Sequence, residues 1–366
     1  MSGTWSRTLV TVVSLCIVST VLLTACATRV DEPVDDQGDA PIESADDQAM
    51  VDADDVESDE IAETPEVADD EAEGFPVTVT RTDNVELTIE ERPERIVSLS
   101  PGATETFFEV GAGDQLVAVD MFSDYPPEAA ALAQLDAYQP DPEAIVDLEP
   151  DLVFVVFDAD GIVSVLDDLD VDVLFLDAPS SVDGMMEQIR TLGAVTGNPV
   201  QADETATALE ERVEAVTTQV PDRDEPLRVY HELDETFFTV SPESFVGDVY
   251  NLLGVDNIAD GAMGAYPQLS EEVILDENPD LIVVPTHGQP DGERADEVRQ
   301  RTGWDVIHAV SNDRIYEIDG DIISRPGPRI VDALEHLAEM FYPEEFVSSY
   351  GIPIAHRNLE IAAAAW

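Results

Sequence analysis

Two short stretches alternate apolar and polar residues with a period of two. Residues 77–80 read Val-Thr-Val-Thr, residues 85–89 read Val-Glu-Leu-Thr-Ile, and Thr82-Asp83-Asn84 lies between them. That pattern predicts a β-hairpin. Residues 95–99, Arg-Ile-Val-Ser-Leu, predict the first buried strand. Ser100-Pro101-Gly102 turns the chain, and a helix over 104–110 ends at Gly111-Ala112-Gly113. Residues 116–119 are the next strand, leading into the loop Asp120-Met121-Phe122-Ser123-Asp124-Tyr125-Pro126-Pro127.

A longer pattern then occurs twice. Glu143-Ala-Ile145-Val-Asp147-Leu-Glu-Pro150-Asp151-Leu152 in the first half matches Glu272-Val-Ile274-Leu-Asp276-Glu-Asn-Pro279-Asp280-Leu281 in the second, at one constant offset. Each copy reads as a short helix, a proline that forbids further helix, and an apolar, β-branched strand. A single copy is an ordinary helix-to-strand connection; two with matching flanks indicate two lobes of similar build. After the first copy come the loop at Phe157, a helix and a strand over 171–176. Between the halves, Ala202, Ala206, Leu209, Val213, Val216 and Val220 recur at steps of four and three. They predict one amphipathic helix of about 22 residues, about 33 Å long. The second half restarts with a strand over 227–231 and a helix over 245–253 that ends at Gly254. After the second copy a strand over 314–318, a loop over 319–328 and a helix over 329–341 follow. The fold class is therefore α/β: two lobes with parallel-sheet cores bridged by a single long α-helix.

Charge changes the picture outside these lobes. The 366 residues carry 81 acidic and 16 basic side chains, a formal net charge of −65, and every basic residue is Arg. Such a surface repels nucleic-acid phosphates. It suits a protein kept soluble in concentrated salt, where self-repulsion is screened. An apolar segment over 9–23 is short for a bilayer span, which needs about 20 residues, and ends in Leu23-Thr24-Ala25-Cys26. That ending resembles a lipobox, the cleavage and lipid-attachment signal of prokaryotic lipoproteins; the alternative is an ordinary signal peptide. The other cysteine, Cys16, lies inside the apolar segment, so the folded part has no disulfide. The predicted organisation is a lipoprotein signal peptide over 1–26 and an acidic, disordered tether over 27–74. An N-terminal lobe over 75–198 follows, with its fold core from about 93, then the bridging helix over 199–222, a C-terminal lobe over 223–347 and a tail over 348–366.

In parallel sheets ligands bind at the carboxyl ends of strands. The loops there carry Phe122, Tyr138, Phe157, His231, Tyr266, His287 and Ile322. There is no glycine-rich phosphate loop, no nucleophile elbow and no His-Glu-x-x-His, which argues against an enzyme. His231 and His287 follow predicted strands, but the first half of the folded chain has no histidine, so a zinc site shared between lobes is not expected. Both read as pocket lining or packing, and no metal ligand is assigned. Glu143 and Glu272 begin their helices, where the helix dipole favours a carboxylate. They are also placed to meet a pair of arginines on a two-fold symmetric partner, and the residues alone leave the two readings even.

The pieces Arg95-Ile-Val-Ser-Leu-Ser-Pro101 with Thr104-Glu105, Ser123-Asp124-Tyr125-Pro126-Pro127, both Glu…Pro-Asp-Leu repeats, Tyr266-Pro-Gln-Leu-Ser270 and Arg325-Pro-Gly-Pro-Arg329 occur in order over residues 93–341. In these the chain resembles substrate-binding lipoproteins of ABC importers for cobalamin and iron–siderophore chelates. The resemblance implies two α/β lobes with a rigid helical backbone, the class III periplasmic-binding-protein type, and a ligand in the cleft between them. It implies that Glu143 and Glu272 dock, one per lobe, on the permease dimer that works with ATPase subunits. It puts Phe122, Tyr138, Phe157, Tyr266 and Ile322 against the ligand, with Arg325 the one arginine well placed for an anionic chelate. It further implies a monomer that catalyses nothing, has no cofactor, and is held outside the cytoplasmic membrane by lipid on Cys26. A cobalt corrinoid is the favoured ligand and a ferric siderophore the second. A secreted metal-dependent enzyme, a haem- or metal-ion-binding protein of the same fold, and an adhesion protein are the competing readings.

Overall fold

The computed structural model describes residues 74–346. The signal segment with Cys26, the tether up to residue 73 and the C-terminal tail lie outside the described residues. The alternating stretches form the expected hairpin, β1 (Val77–Thr80) against β2 (Glu86–Ile89), with Val77 opposite Ile89.

The first half builds a parallel sheet from β3 (Ile96–Leu99), β4 (Leu116–Asp120), β5 (Ala133–Leu135), β6 (Leu152–Val155) and β7 (Val173–Phe175), in the order β5-β4-β3-β6-β7. The second half builds another from β8 (Arg228–His231), β9 (Asp256–Asn257), β10 (Leu281–Thr286) and β11 (Ile315–Asp319), in the order β11-β10-β8-β9. Matching β3 with β8, β4 with β9, β6 with β10 and β7 with β11 gives the same order in both, so the internal repeat extends to topology. Helices cover the sheets: α1 (Pro101–Glu109), α2 (Pro142–Val146), α3 (Ile162–Asp167), α4 (Val182–Val195) and α5 (Pro199–Thr217), then α6 (Phe245–Leu252), α7 (Glu271–Glu277), α8 (Glu293–Arg299), α9 (His308–Ser311), α10 (Gly320–Ser324) and α11 (Ile330–Phe341).

The strands bury both faces, and their period of two sorts residues into separate cores. Ile96, Leu152 and Phe154 from one sheet join Val229, Leu281 and Val283 from the other in one continuous core that also takes Leu209 of α5 and Leu334 of α11. Val97, Val153 and Val155 face an outer core with Ile145 of α2. Tyr230, Ile282 and Val284 face a matching outer core with Ile274 of α7 and Trp304. Fully burying one such side chain is worth about 1.5–3 kcal/mol, so the shared core contributes to holding the halves together.

The repeated Pro-Asp now has a physical role. Asp151 accepts hydrogen bonds from the backbone N–H of Glu94 (2.7 Å) and Arg95 (3.0 Å), and Asp280 from that of Arg228 (3.0 Å). Each carboxylate thus fixes the chain entering the adjacent central strand, β3 or β8. The residue before each proline takes the left-handed conformation, Glu149 at φ 48° just beyond the end of α2 and Asn278 at φ 47° as the cap of α7. The guanidinium of Arg95 then donates to the carbonyl of Glu149 (2.9 Å), and that of Arg228 to the carbonyl of Asn278 (3.1 Å).

The bridge differs from the expectation in two ways. α5 has 19 residues and ends at Thr217, about 28 Å at 1.5 Å per residue. Nor is it a lone helix. α4 turns back through Gly197 (φ +79°) and packs along it, so closely that a Cβ on Gly193 would lie 2.1 Å from the Cβ of Ala202. Arg190 of α4 pairs with Asp203 and Glu210 of α5 (2.9 and 2.7 Å), while Arg212 of α5 pairs with Asp332 and Glu335 of α11 (2.6 and 2.8 Å). The connection between halves is a helical hairpin seated against α11. The loop expected over 319–328 also contains a helical turn, α10, because the Asp319 side chain accepts from the N–H groups of Asp321 and Ile322.

Candidate ligand-binding cleft and docking surfaces

β4 ends in Asp120, which is buried, and its carboxylate ties two loops together. One oxygen accepts the N–H of Phe122 (2.9 Å) and the other the N–H of Ala137 (3.1 Å). Asp136 in turn accepts the N–H of Tyr138 (2.9 Å) and of Gln139 (3.1 Å). These bonds bring the loops of Phe122 and Tyr138 together, and the ring of Phe157 from a third loop meets Tyr138. Phe122 meets Tyr138 edge-on at 6.4 Å, and Tyr138 meets Phe157 at 5.3 Å with 35° between the planes. All three rings are open to solvent, with 52 %, 66 % and 37 % of their surface exposed. An aromatic cluster left in water at the strand ends is an apolar platform for a flat or apolar ligand. Asp120 was not among the predicted site residues; a lone aspartate closing an apolar strand ahead of an aromatic loop was its signal. Replacing it by alanine leaves the buried N–H of Ala137 and the half-buried N–H of Phe122 without this acceptor. Ligand affinity is expected to fall about tenfold or more through loosening of the platform, each lost buried partner costing about 1–3 kcal/mol. An equilibrium titration of Asp120→Ala against the wild type checks this, and unchanged affinity would contradict it.

In the second half Tyr266 lies in a loop held by the segment before α6. Thr239 N–H donates to the carbonyl of Pro267 and Ser241 N–H to that of Ala265, each at 2.9 Å. Tyr266 is 58 % exposed and Met263 beside it 94 % exposed. Tyr266 makes no ring pair with the first-half platform among the described residues.

Between the halves the separate sequence pieces converge. Glu105 of α1 is buried and receives Arg329 through two nitrogens and Arg325 through one at 3.3 Å. Arg325 also holds Asp124 at 2.7 Å and Asp321 at 3.2 Å. The Arg329 guanidinium lies 4.1 Å over the ring of Tyr125. Ser123 donates to the Thr104 hydroxyl (3.2 Å), which donates to that of Ser98 (2.9 Å). The backbones approach so closely that a Cβ on Gly102 would come within 2.5 Å of the Pro326 carbonyl oxygen. Burial disfavours the charge on Arg325 and Arg329, but the surrounding carboxylates outweigh it and hold both above the ordinary arginine range.

Two predicted ligand residues, His231 and Arg325, are corrected here. His231 is wholly buried: it shares the parity of Val229 on β8, so it faces the shared core, where Nδ1 meets the Tyr250 hydroxyl at 2.7 Å. Burial pushes its pKa down to about 3, so it is a neutral core residue. Arg325 is enclosed by carboxylates and offers no free guanidinium to a ligand. Ile322 is half-buried on α10 and packs against the shared core. His287 does stand exposed after β10; its ring rests on Gly320, and Nδ1 lies 3.9 Å from Asp321. No group of three or more His, Cys, Asp or Glu among the described residues is arranged to hold a metal ion.

Glu143 and Glu272 stand in the first turns of α2 and α7. Asp141 caps α2 through the N–H of Glu143 (3.0 Å), and Ser270 caps α7 through the N–H of Val273 (3.3 Å). Both glutamates are exposed, and neither pairs with a basic side chain among the described residues. Their neighbour Glu271 is committed instead, accepting from Trp304 Nε1 at 2.8 Å.

The sequence profile described as periplasmic binding protein matches residues 96–322. The uncharacterized ABC transporter substrate-binding lipoprotein YvrC of Bacillus subtilis is 31% identical over 288 residues, which cover 76% of this chain and 90% of that protein. A cobalamin-binding protein of Halobacterium salinarum is 33% identical over 281 residues, covering 75% of this chain and 76% of that protein. The crystal structure of the periplasmic vitamin B12 binding protein BtuF of Vibrio cholerae superposes with a TM-score of 0.61 at 29% identity, covering 68% of this chain and 96% of that one.

Proposed function

Because the chain belongs to the periplasmic binding protein family, we propose that it is the extracytoplasmic solute-binding component of an ABC importer and that its ligand is a corrinoid of the cobalamin type. The observation that carries the ligand assignment is the open platform of Phe122, Tyr138 and Phe157, a solvent-exposed cluster of three rings that offers apolar contact to a large macrocycle. The names of the relatives in Halobacterium salinarum and Vibrio cholerae support it. Binding is noncovalent: the platform and Tyr266 take the ligand, and the chain performs no chemistry on it. Glu143 and Glu272 dock on the permease, one on each half. Lipid on Cys26, supported by Leu23-Thr24-Ala25-Cys26 and by the lipoprotein name of the relative from Bacillus subtilis, holds the protein at the outer face of the membrane.

A thermal-shift panel in molar salt tests the ligand. Cyanocobalamin at about a hundred times its Kd adds about 2.7 kcal/mol of stability, and the melting point is expected to rise by about 5–10 °C. A neutral ferric hydroxamate and haem serve as competitors. A rise with either of them and none with cyanocobalamin would overturn the corrinoid assignment.

A further inference from the structure

Chelates of this size differ most in charge, and the cleft treats charge in a particular way. Among the described residues, the arginines at the junction and those beside Glu232 are already matched by carboxylates. Arg325 and Arg329 share Glu105, and Arg325 also holds Asp124 and Asp321. Arg294 and Arg301 are matched by Glu232, which is fully buried just after β8. At the junction three carboxylates face two guanidiniums, so a ligand meets a surplus of negative charge. Asp124 and Asp321 are the open members of this set, with side chains 62 % and 45 % exposed, while Glu105 is 3 % exposed and Arg325 10 %. They stand between Arg325 and solvent. Asp124 also belongs to the loop that carries Phe122, two residues along the chain, so one loop supplies both a ring of the aromatic platform and a carboxylate on Arg325.

We propose that Asp124 and Asp321 are specificity-determining residues: they neutralise Arg325 on its open side and make the cleft reject anionic chelates in favour of neutral or cationic ones. An unmatched guanidinium in a half-enclosed site would do the reverse, because a buried charge takes whatever counter-charge the ligand brings. The inference rests on the reading of this cleft as a chelate site.

The test uses a ligand series that changes charge and little else. Cobalamin is compared with its monocarboxylates, in which one side-chain amide is hydrolysed to a carboxylate. A unit charge about 6 Å from another at an effective dielectric of about 40 costs a factor of about ten. The full-length protein is therefore expected to bind the monocarboxylates about tenfold more weakly than cobalamin by calorimetry. The ratio of the two Kd values should shrink as salt rises. In Asp124→Asn/Asp321→Asn, which keeps side-chain size, that ratio should fall to about one or invert; Asp124→Asn alone should move it part of the way, and serves if the double variant does not fold. A wild-type ratio near one, or a tenfold ratio retained in the variants, would overturn the proposal. A neutral ferric hydroxamate and an anionic ferric tricatecholate complete the series. If no corrinoid binds, the corrinoid reading fails by itself, and the charge proposal is then decided by this pair: preference for the neutral chelate upholds it and preference for the anionic one refutes it.

Discussion

Reversing the charge of both exposed glutamates, Glu143→Arg with Glu272→Arg, is expected to abolish transport while leaving ligand affinity within about twofold. The two side chains stand on short helices of different halves, exposed and without basic partners among the described residues. Their removal disturbs no internal contact, so the fold and the cleft should persist. In the proposed docking each new arginine would meet a partner arginine where a carboxylate stood, and like-charge juxtaposition at an interface costs several kcal/mol. Together that is more than about a hundredfold in complex stability. Uptake of labelled cobalamin into proteoliposomes carrying the importer, measured beside calorimetry of the same variants, separates the outcomes. Loss of ligand binding instead of transport would show that the glutamates serve the cleft or the fold.

Truncating Glu232 should cost the most stability of any single change. Glu232 is fully buried after β8 and receives Arg301 through two nitrogens, with Arg294 at 3.5 Å. Arg301 also stacks over Trp304 at 4.6 Å and over Phe237 at 5.7 Å, and Trp304 holds Glu271 on the helix that carries Glu272. Glu232→Ala leaves the enclosed Arg301 guanidinium without its counter-ion and Arg294 with Glu297 alone, an expected loss of about 3–5 kcal/mol. Total stabilities run to about 5–15 kcal/mol, so the variant approaches the unfolding threshold. Urea denaturation with an unchanged m-value would report it. Removing both charges in Glu232→Met/Arg301→Met should recover most of the loss, since the penalty lies in the orphaned charge. A loss under about 1 kcal/mol in Glu232→Ala would mean that solvent reaches these arginines.

Much of this architecture is legible in the sequence because it is local. The hairpin, the apolar strands and the helix-Pro-Asp-strand unit follow from alternation, β-branching and proline, and the two halves follow from the matched copies of that unit. β5 and β9 are not legible: Ala133–Leu135 and Asp256–Asn257 are too short to carry a pattern, and they are strands only because a neighbouring strand edge offers hydrogen bonds. α4 carries a readable signal, Ser181 as cap and Met185, Met186, Ile189 and Leu192 on one face.

The site divides in the same way. Phe122, Tyr138 and Phe157 are found from the rule that ligands gather at strand ends. His231 is misplaced by that rule, although strand parity with Val229 turns it inward. Arg325 looks free in sequence because two of its three partners, Glu105 and Asp124, lie 220 and 201 residues away; only Asp321 is near in the chain. Ion pairing at that separation is decided by the fold, and it converts an apparent anion-binding residue into part of the junction between the halves.

The central claim is that a corrinoid binds on the aromatic platform of this cleft. Calorimetric titration of cyanocobalamin into the wild type and into Phe122→Ala/Tyr138→Ala/Phe157→Ala tests it most directly. Saturable one-to-one binding by the wild type, weakened by about a hundredfold or more in the triple variant at about 1–1.5 kcal/mol per ring, is the predicted result. Equal affinity in the two proteins, or no binding by the wild type, would contradict it.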